Sequence, residues 1–350
     1  MKIVIKDLRK AISDVLLALD ASEKEASLVA DVLIEADLRG IPTHGCAFIP
    51  LIAERYANKV INIPTKLDFV NDDGAITHIE GNNGFGQVAA AEAMQQCIDK
   101  AKQNGIGFSL VRNTNHIGFL GYYPLMAVAE GMVGISMTNA APAMAPFGGA
   151  EAFFGTNPLS IASPVAKGHP FVLDMSTSVV ARGKIRRAQR ENQSIGDGWA
   201  LDADGLPTND PNAALAGTVL PIAGPKGYGL SLFIDLLSGL LSGSKYGKDL
   251  LTFHKPLGPT GVGATFIAID IKRFMPLEQF NTLAHDYAES IRNMKKAKGV
   301  EQIYLPGEIE AIRAESSRKE GLVEVDDQII DKINLILKEK GLSLHLKEEN

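Results

Sequence analysis

The chain has 350 residues, of which 45% are hydrophobic and 22% are charged, a composition typical of a globular protein with a large buried core. Its net charge of −6 is spread along the sequence, which leaves no broad basic surface to bind nucleic acid. Two cysteines, Cys46 and Cys97, are too few for a disulfide framework and indicate free thiols in a reducing, cytoplasmic compartment. The N-terminus is charged and lacks a signal-peptide pattern. The most apolar stretch, 227–243, contains Asp235 and predicts a buried helix rather than a membrane span.

The N-terminal part predicts two helices joined by a turn. Residues 22–25 have the spacing of a capping box, and apolar residues then recur at helical spacing, which predicts a helix ending near Arg39. The turn that follows, 40–45, contains glycine and proline and carries His44. A second helical pattern covers residues 48–56.

Strands and helices then alternate along the chain, which is typical of an α/β fold with a central sheet. The predicted elements are the strands 76–80, 107–112, 133–138, 170–173 and 264–270 and the helices 88–103, 123–130, 277–295 and 326–338. Residues 192–211 have the composition of a long surface loop. We expect 1–75 to form a helical segment that packs with the C-terminal part, 76–260 to form a central α/β domain, and 261–350 to complete the first domain.

The segment Gly84–Ala89 has the spacing of a dinucleotide-binding fingerprint, with glycines that follow a predicted strand and open a helix. Such a site needs a carboxylate at the end of the next strand to hold the ribose. That strand ends at Arg112 and Asn113 without a carboxylate. We therefore interpret the segment as a glycine-rich turn at the start of a helix.

Two histidines lie in turns that could form part of an active site. His116 belongs to the polar segment 113–118 at the C-terminal end of a strand, where open α/β sheets place their ligands. An imidazole titrates near about pH 6.5 and can exchange the hydroxyl proton of an alcohol. His44 is the second candidate, and a structural role remains the alternative for both residues.

Other polar segments supply cations and hydroxyl groups. Lys226 is flanked by glycines before an apolar run, where it could meet a phosphate or remain a solvated lysine. The spacing is not that of a nucleotide-hydrolysing P-loop. Residues 174–178 and 182–187 could attract a small carboxylate, or form a helix cap and a solvated basic stretch. His44 and Cys46 have no second pair at ligand spacing, so the sequence disfavours a metal site.

Taken together, these segments resemble the malate/L-lactate dehydrogenase family that is unrelated to the Rossmann-fold lactate and malate dehydrogenases. That family includes ureidoglycolate dehydrogenase, 2,3-diketogulonate reductase and sulfolactate dehydrogenase. The matching segments are ADLRGIPTHG at 36–45, PFGG at 146–149, GTNP at 155–158, LDMST at 173–177, GWALD at 198–202, PTNDP at 207–211, GPKGYGL at 224–230 and PGE at 306–308. Within the family, ureidoglycolate dehydrogenase looks most similar, notably at 53–55, 192–195 and 223–230.

The resemblance implies a homodimer with a non-Rossmann α/β fold, a central mixed sheet, and helical N- and C-terminal parts. It also implies hydride transfer between NAD or NADP and C2 of a small 2-hydroxy or 2-oxo carboxylic acid. By the same resemblance His116 is the acid/base group, with His44 beside it. The implied substrate-binding residues are Thr43, Phe48, Thr156 and Lys184, and the implied cofactor-binding residues are Asn139, Asp174, Met175, Ser176, Lys226, Gly227, Pro306, Gly307 and Glu308.

One position departs from the family pattern. Family members usually carry an arginine four residues after the equivalent of His44, where it can clamp the substrate carboxylate, but this chain has Phe48. Either Lys184, Arg182 or Arg55 supplies the cation, or the substrate differs near that end. Phe48 thus favours an imine or ring-ketone reductase, or a non-catalytic nucleotide-binding homologue, as the alternative function, whereas Lys184 favours carbonyl chemistry. If the position faces substrate, Phe48→Arg should improve kcat/KM for a simple 2-oxo acid.

Overall fold

The computed structural model describes residues 1–349 as helices arranged around a central sheet. The α-helices are α1 (Ile5–Leu17), α2 (Glu23–Leu38), α3 (Phe48–Ala57), α4 (Gly86–Asn104), α5 (Tyr122–Ala129), α6 (Arg182–Arg190), α7 (Pro211–Ala216), α8 (Pro225–Asp235), α9 (Leu277–Arg292), α10 (Glu308–Glu320) and α11 (Asp327–Glu339). The strands are β1 (Lys2–Val4), β2 (Asp68–Asp73), β3 (Ile76–Glu80), β4 (Ile106–Thr114), β5 (Met132–Thr138), β6 (Leu159–Ser163), β7 (Phe171–Met175), β8 (Ala200–Leu201), β9 (Pro207–Thr208), β10 (Thr218–Val219), β11 (Val262–Asp270) and β12 (Leu322–Glu324).

The central sheet has the strand order β2-β3-β4-β11-β5-β6-β7 and is mixed, as predicted. β3 and β4 run parallel, and the long α4 supplies the crossover that a parallel pair requires. The other neighbours are antiparallel. The alanine-rich side of α4 is buried against β4 and β11, where Phe266 and Val111 also lie in the core. This packing fixes the end of β4, where the candidate site begins.

The two ends of the chain pack against each other. β1 pairs antiparallel with β12, and α1 packs against α2 and α11 around a core of aliphatic side chains. The expected boundary at residue 261 needs correction, because β11 pairs with β4 and β5 in the middle of the central sheet. A strand so placed belongs to the central domain rather than to the first one.

Local sequence signals predicted most helices well. The capping box at Ser22 and Glu25 is present at the start of α2, with both reciprocal hydrogen bonds formed. The predicted surface loop 192–211 also contains the short strands β8 and β9, which form a small sheet with β10. No helix within residues 1–349 is both long enough and apolar enough to cross a bilayer.

The prediction of a buried helix at 227–243 was wrong in part. α8 continues into a π-helical segment, Leu236–Leu241, so the helical conformation was correct. Several of its large side chains face outward, however, instead of packing on the sheet. The exposed apolar residues of this segment are Leu230, Phe233, Leu236, Leu240 and Leu241. Hydrophobicity alone did not reveal which face of the helix meets the core.

Candidate active site

The backbone of His116 is held against the start of α4. His116 lies two residues after the last residue of β4, at the strand end where the sequence placed it. A Cβ atom on Gly86 would overlap the carbonyl oxygens of Asn115 and His116, so only glycine allows this close approach. The glycine-rich segment that mimics a dinucleotide fingerprint therefore includes a residue needed to seat His116.

The side chain of Asn115 ties the same strand end to its surroundings. Its amide donates to the carbonyl oxygens of Asn83 at 2.9 Å and Gly84 at 2.8 Å. Its oxygen accepts from the hydroxyl of Thr260 at 3.1 Å. Because a buried amide with several partners has few alternative orientations, this network gives His116 a fixed backbone position.

The imidazole of His116 lies between aromatic and histidine side chains. The ring of Phe48 stacks on it with centroids 4.2 Å apart, and the ring of His44 lies 5.4 Å away. The backbone N–H of Gly118 donates to His116 Nδ1 at 3.0 Å. Within the described residues, His116 Nε2 has no protein partner. This nitrogen is therefore available to a substrate oxygen.

The site holds its histidines in the neutral form. Burial, followed by the charges of His44 and His254, lowers the pKa of His116 well below its usual range. Burial and the nearby His254 lower the pKa of His44 to about 4. At neutral pH both imidazoles are thus uncharged when no anion is bound.

The turn that carries His44 rests on a buried carboxyl group. The carboxylate of Asp37 accepts a hydrogen bond from the backbone N–H of Cys46 at 2.8 Å. It also packs against Gly45 so closely that a Cβ atom there would overlap it. Burial raises the pKa of Asp37 to about 7, against the opposing effect of the Cys46 N–H. The hydroxyl of Thr43 is 2.9 Å from His44 Nδ1, which orients the second histidine.

Arg55, one of the cations considered for the substrate carboxylate, is committed to the protein interior. Its side chain is 1% exposed, and its guanidinium donates to the carbonyl oxygens of Val60 at 3.0 Å and Gly258 at 2.7 Å. The guanidinium also stacks over the ring of Phe253 at 4.7 Å. Arg55 therefore supports the wall of the site and is not free to bind substrate.

The start of α6 forms the facing side of the site. A Cβ atom on Gly183 would lie 3.1 Å from the methyl group of Thr43, so the helix begins directly beside the His44 turn. Arg182 donates to the carbonyl oxygen of Leu215 at 2.7 Å, which occupies one of its N–H donors. Lys184 is exposed on the same first turn.

A second group of expected site residues surrounds the end of β7. The Gly121 N–H donates to the carboxylate of Asp174 at 3.0 Å, and burial raises the pKa of Asp174 to about 6. Gly121 follows His116 by five residues, which can span at most about 18 Å. Met175 and Ser176 complete this end of the strand. The two groups of residues therefore lie within reach of one extended ligand.

Thr156 and the start of α8 join this second group. The carbonyl oxygen of Thr156 accepts from Thr177 N–H at 2.9 Å, and the Thr177 carbonyl accepts from Ile222 N–H at 2.9 Å. Lys226 then lies exposed in the first turn of α8, with no ion pair in residues 1–349. A Cβ atom on Gly227 would overlap the carbonyl oxygen of Ile222, so the helix start requires glycine.

The remaining expected cofactor residues are bonded to protein groups. Asn139 is buried; it donates to Asp235 at 2.9 Å and accepts from Gly263 N–H at 2.9 Å. Glu308 accepts from Leu305 N–H and from Arg292, both at 2.8 Å. The turn Pro306–Glu308 lies against β7, where the Pro306 carbonyl accepts from Val172 N–H at 2.9 Å. The side chains of Asn139 and Glu308 thus stabilise the surroundings of the site. The turn 306–308 lies beside β7, the strand that also carries Asp174.

Three residues around the two histidines were missed by the sequence analysis. Phe253 lies with its ring centroid 6.0 Å from that of His116, and the ring of His254 is 6.1 Å from Phe48. Asp37 is the third. The pair Phe253 and His254 opens a segment with two prolines and a glycine, the same signal that drew attention to His44. Within residues 1–349 no three histidine, cysteine or carboxylate side chains are placed to hold a metal ion, including the three histidines of this site.

Several known proteins are similar to this chain over nearly its whole length. The family model described as malate/L-lactate dehydrogenase matches residues 3–334. The L-sulfolactate dehydrogenase of Methanocaldococcus jannaschii is 40% identical and covers 96% of each chain, and the malate dehydrogenase of Pyrococcus abyssi is 39% identical over 94% of this chain and 92% of its own. The ureidoglycolate dehydrogenase (NAD(+)) of Escherichia coli is 36% identical over 93% of each chain. The solved sulfolactate dehydrogenase of M. jannaschii superposes with a TM-score of 0.92 at 39% identity, covering 98% of both chains.

Proposed function

This chain belongs to the malate/L-lactate dehydrogenase family, and we propose that His116 exchanges the proton of the reaction at Nε2. The protein is an oxidoreductase that acts on the CH–OH group of a 2-hydroxy acid. The observation that supports the role of His116 is its placement: a fixed backbone, a stacked ring and one nitrogen without a protein partner. A general acid or base needs this combination of position and a free titratable atom.

The proton chemistry of His116 depends on the substrate anion. The imidazolium is disfavoured by burial, and the Gly118 N–H points at Nδ1, so the neutral ring carries its own proton on Nε2. To take the hydroxyl proton at Nε2 in oxidation, the ring must release the Gly118 contact and carry its own proton on Nδ1. In reduction, the doubly protonated ring gives the Nε2 proton to the substrate oxygen. A carboxylate close to the ring acts in the opposite direction, because an anion stabilises the charged form. Bound substrate therefore helps His116 to hold the proton that reduction consumes and oxidation produces.

The substrate lies, in this proposal, between the His44 turn and the start of α6. Thr43, His44 and Phe48 line one side, and Thr156 and Lys184 reach it from the other. The contact between Gly183 and Thr43 supports this arrangement because it brings the two sides together. Phe48 contributes an apolar surface that keeps water from the reacting carbon.

A nicotinamide cofactor, NAD or NADP, accepts or supplies the hydride when it is bound. We propose that Lys226 and Gly227 hold its phosphates at the start of α8, where an exposed cation and the positive end of the helix dipole favour an anion. Asp174, Met175 and Ser176 contact it along the end of β7. Asn139 and the turn Pro306–Glu308 complete the proposed cofactor-binding surface.

The substrate class is proposed from the relatives. The malate and sulfolactate dehydrogenases share 39% and 40% of their residues with this chain and the ureidoglycolate dehydrogenase 36%, so a malate or sulfolactate type of acid has more support than ureidoglycolate. The uncharged Phe48 beside His116 keeps a cyclic imine or ring ketone as the second candidate. Steady-state assays with NADH and NADPH against oxaloacetate, pyruvate, sulfopyruvate and a cyclic imine separate these functions. A protein that binds cofactor and reduces none of them is a non-catalytic homologue.

We also propose that the chain forms a homodimer in the cytoplasm. The exposed apolar side chains of α8 and its π-helical continuation form a group, whereas exposed apolar residues on a monomer are usually scattered. Such grouped apolar patches mark interaction surfaces. The two cysteines are buried free thiols, which suits a reducing compartment. Sedimentation equilibrium of the purified chain tests the dimer.

A further inference from the structure

A 2-hydroxy or 2-oxo acid carries its carboxylate on the carbon next to the reacting one, so the site needs a cation near His116. The residues that surround His116 most closely do not supply this cation. Phe48 and Phe253 are uncharged, Arg55 is buried among carbonyl oxygens, and Arg182 is half-buried and held by the carbonyl of Leu215. The cation must therefore come from a residue that still has free donors.

Helix α6 offers such a residue. Gly183 faces Thr43, and a residue three positions later lies one turn along the same side of a helix. That residue is Arg186, which is exposed and forms no ion pair in residues 1–349. Its neighbour Arg187 is already paired with Glu191 at 2.6 Å. Arg186 is thus the uncommitted guanidinium on the side of α6 that faces the histidines.

His254 approaches the same space from the opposite wall. It follows Phe253, which contacts both Phe48 and His116, and its own ring lies 6.1 Å from Phe48. The side chain is exposed and has no protein hydrogen bond through its ring in residues 1–349. Partial burial of the ring, followed by the positive charge of Arg186, lowers the pKa of His254, which fits a place for Arg186 on the same side of the site.

We propose that Arg186 and His254 together bind the C1 carboxylate of the substrate, an assignment that rests on the proposed exchange of a proton at His116. The planar guanidinium offers two parallel N–H donors that match the two carboxylate oxygens. A neutral imidazole adds one further N–H donor. With the carboxylate held between α6 and His254, the neighbouring C2 oxygen can lie against His116 Nε2.

The test compares Arg186→Gln and His254→Asn with one control on α6 and with a variant of Lys184, the competing candidate for the same contact. Arg190→Gln is the control, because it removes a cation on the same side as Gly183 but two turns, or about 10 Å, further along. Lys184→Gln removes the exposed cation of the first turn that the proposed function also places beside the substrate. Each variant is assayed with pyruvate, a monoanion, and with oxaloacetate, a dianion. Binding of oxamate, an unreactive 2-oxo acid mimic, to the enzyme with NADH gives a readout that does not depend on turnover.

We expect Arg186→Gln to raise KM for both acids and the Kd of oxamate by about 10- to 100-fold, the worth of a charge-assisted contact, with a much smaller change in kcat. His254→Asn moves the same quantities in the same direction. Arg186→Lys keeps the charge but lacks the two parallel N–H donors of a guanidinium, so we expect its affinity for both acids to lie between those of the wild type and Arg186→Gln. Arg190→Gln leaves the three quantities unchanged, and Lys184→Gln changes them less than Arg186→Gln does.

Three results overturn the assignment. An effect of Arg186→Gln on oxaloacetate alone shows that this residue binds a distal anionic group. A loss caused by Lys184→Gln instead of Arg186→Gln moves the anchor to Lys184. An active wild-type enzyme with unaffected Arg186 and His254 variants removes the anchor and leaves the proposed function intact, whereas a wild type that reduces no 2-oxo acid overturns both.

Discussion

Phe48 stacks on His116 with ring centroids 4.2 Å apart and ring planes inclined by 29°. The contact joins the first residue of α3 to the first turn after β4, two segments that are far apart in sequence. It fixes the plane of the imidazole and removes water from one face. The same burial that orients His116 therefore also lowers its pKa.

Replacing His116 with alanine should lower kcat by about 10²- to 10⁴-fold, the usual contribution of a positioned acid or base. Cofactor affinity should remain nearly intact, since Asp174 and Lys226 are unaffected. His116→Asn is the sharper variant, because it keeps a hydrogen-bonding group but cannot exchange a proton near neutral pH. If His116→Asn turns over normally while His44→Asn does not, the acid/base role belongs to His44.

The pH dependence should have a definite sign. Oxidation requires the neutral imidazole of His116, so kcat/KM for the hydroxy acid rises as the ring loses its proton, and kcat/KM for reduction falls over the same range. Because burial lowers the pKa of His116 in the free enzyme, both changes are centred below 6.5. Initial rates at constant ionic strength measure the two profiles. A midpoint above 6.5 that disappears in His116→Asn would contradict the buried, neutral resting state.

Phe48→Arg is expected to unfold the site instead of improving it, which reverses the expectation drawn from the sequence. Phe48 is 3% exposed and belongs to the same core as Ile49 and Phe253. An arginine there leaves a buried charge unpaired, at a cost of about 3–5 kcal/mol in the free energy of unfolding. Phe48→Leu keeps the apolar volume and should cost less than about 1.5 kcal/mol. Urea denaturation of both variants is the measurement, and an undiminished stability of Phe48→Arg would show that the ring is not part of the core.

Asp37 should make the protein less stable as pH rises. Its folded pKa of about 7 lies above the ordinary value of 3.8, so between these values the folded state holds a proton that the unfolded state has lost. Stability is then greatest below the lower value and decreases up to the higher one, by at most roughly 4 kcal/mol at 1.36 kcal/mol per unit. Asp37→Asn keeps an acceptor for Cys46 N–H and should flatten this decrease. Asp197→Asn, at an exposed position, should leave it unchanged, and an equal slope in the wild type and Asp37→Asn would show that the carboxyl is ionised in the folded protein.

Lys226→Ala should weaken cofactor binding by about 1–3 kcal/mol through the loss of a charge-assisted phosphate contact. Fluorescence titration with NADH and NADPH measures the effect. Lys319→Ala, an exposed lysine near the end of α10, is the matched control. Unchanged affinity for both nucleotides would place Lys226 outside the site.

The sequence by itself determined much of the local structure, and it identified His116 as the leading candidate for the acid/base group. The capping box of α2, the strand before His116 and the turn of His44 depend on neighbours within a few residues, and these predictions were confirmed. The missing carboxylate after β4 also correctly argued against a Rossmann site, since the observed sheet has a different strand order.

Only the tertiary structure decided what depends on contacts between distant segments. β11 enters the sheet between β4 and β5 because strand pairing is set by packing across the whole chain, which no local pattern encodes. For the same reason the sequence could not place Phe253 and His254 beside His116, nor reveal that Arg55 is buried by the carbonyl groups of a loop far along the chain. The outward face of α8 has a similar cause, because an apolar helix carries no signal for which side meets the core.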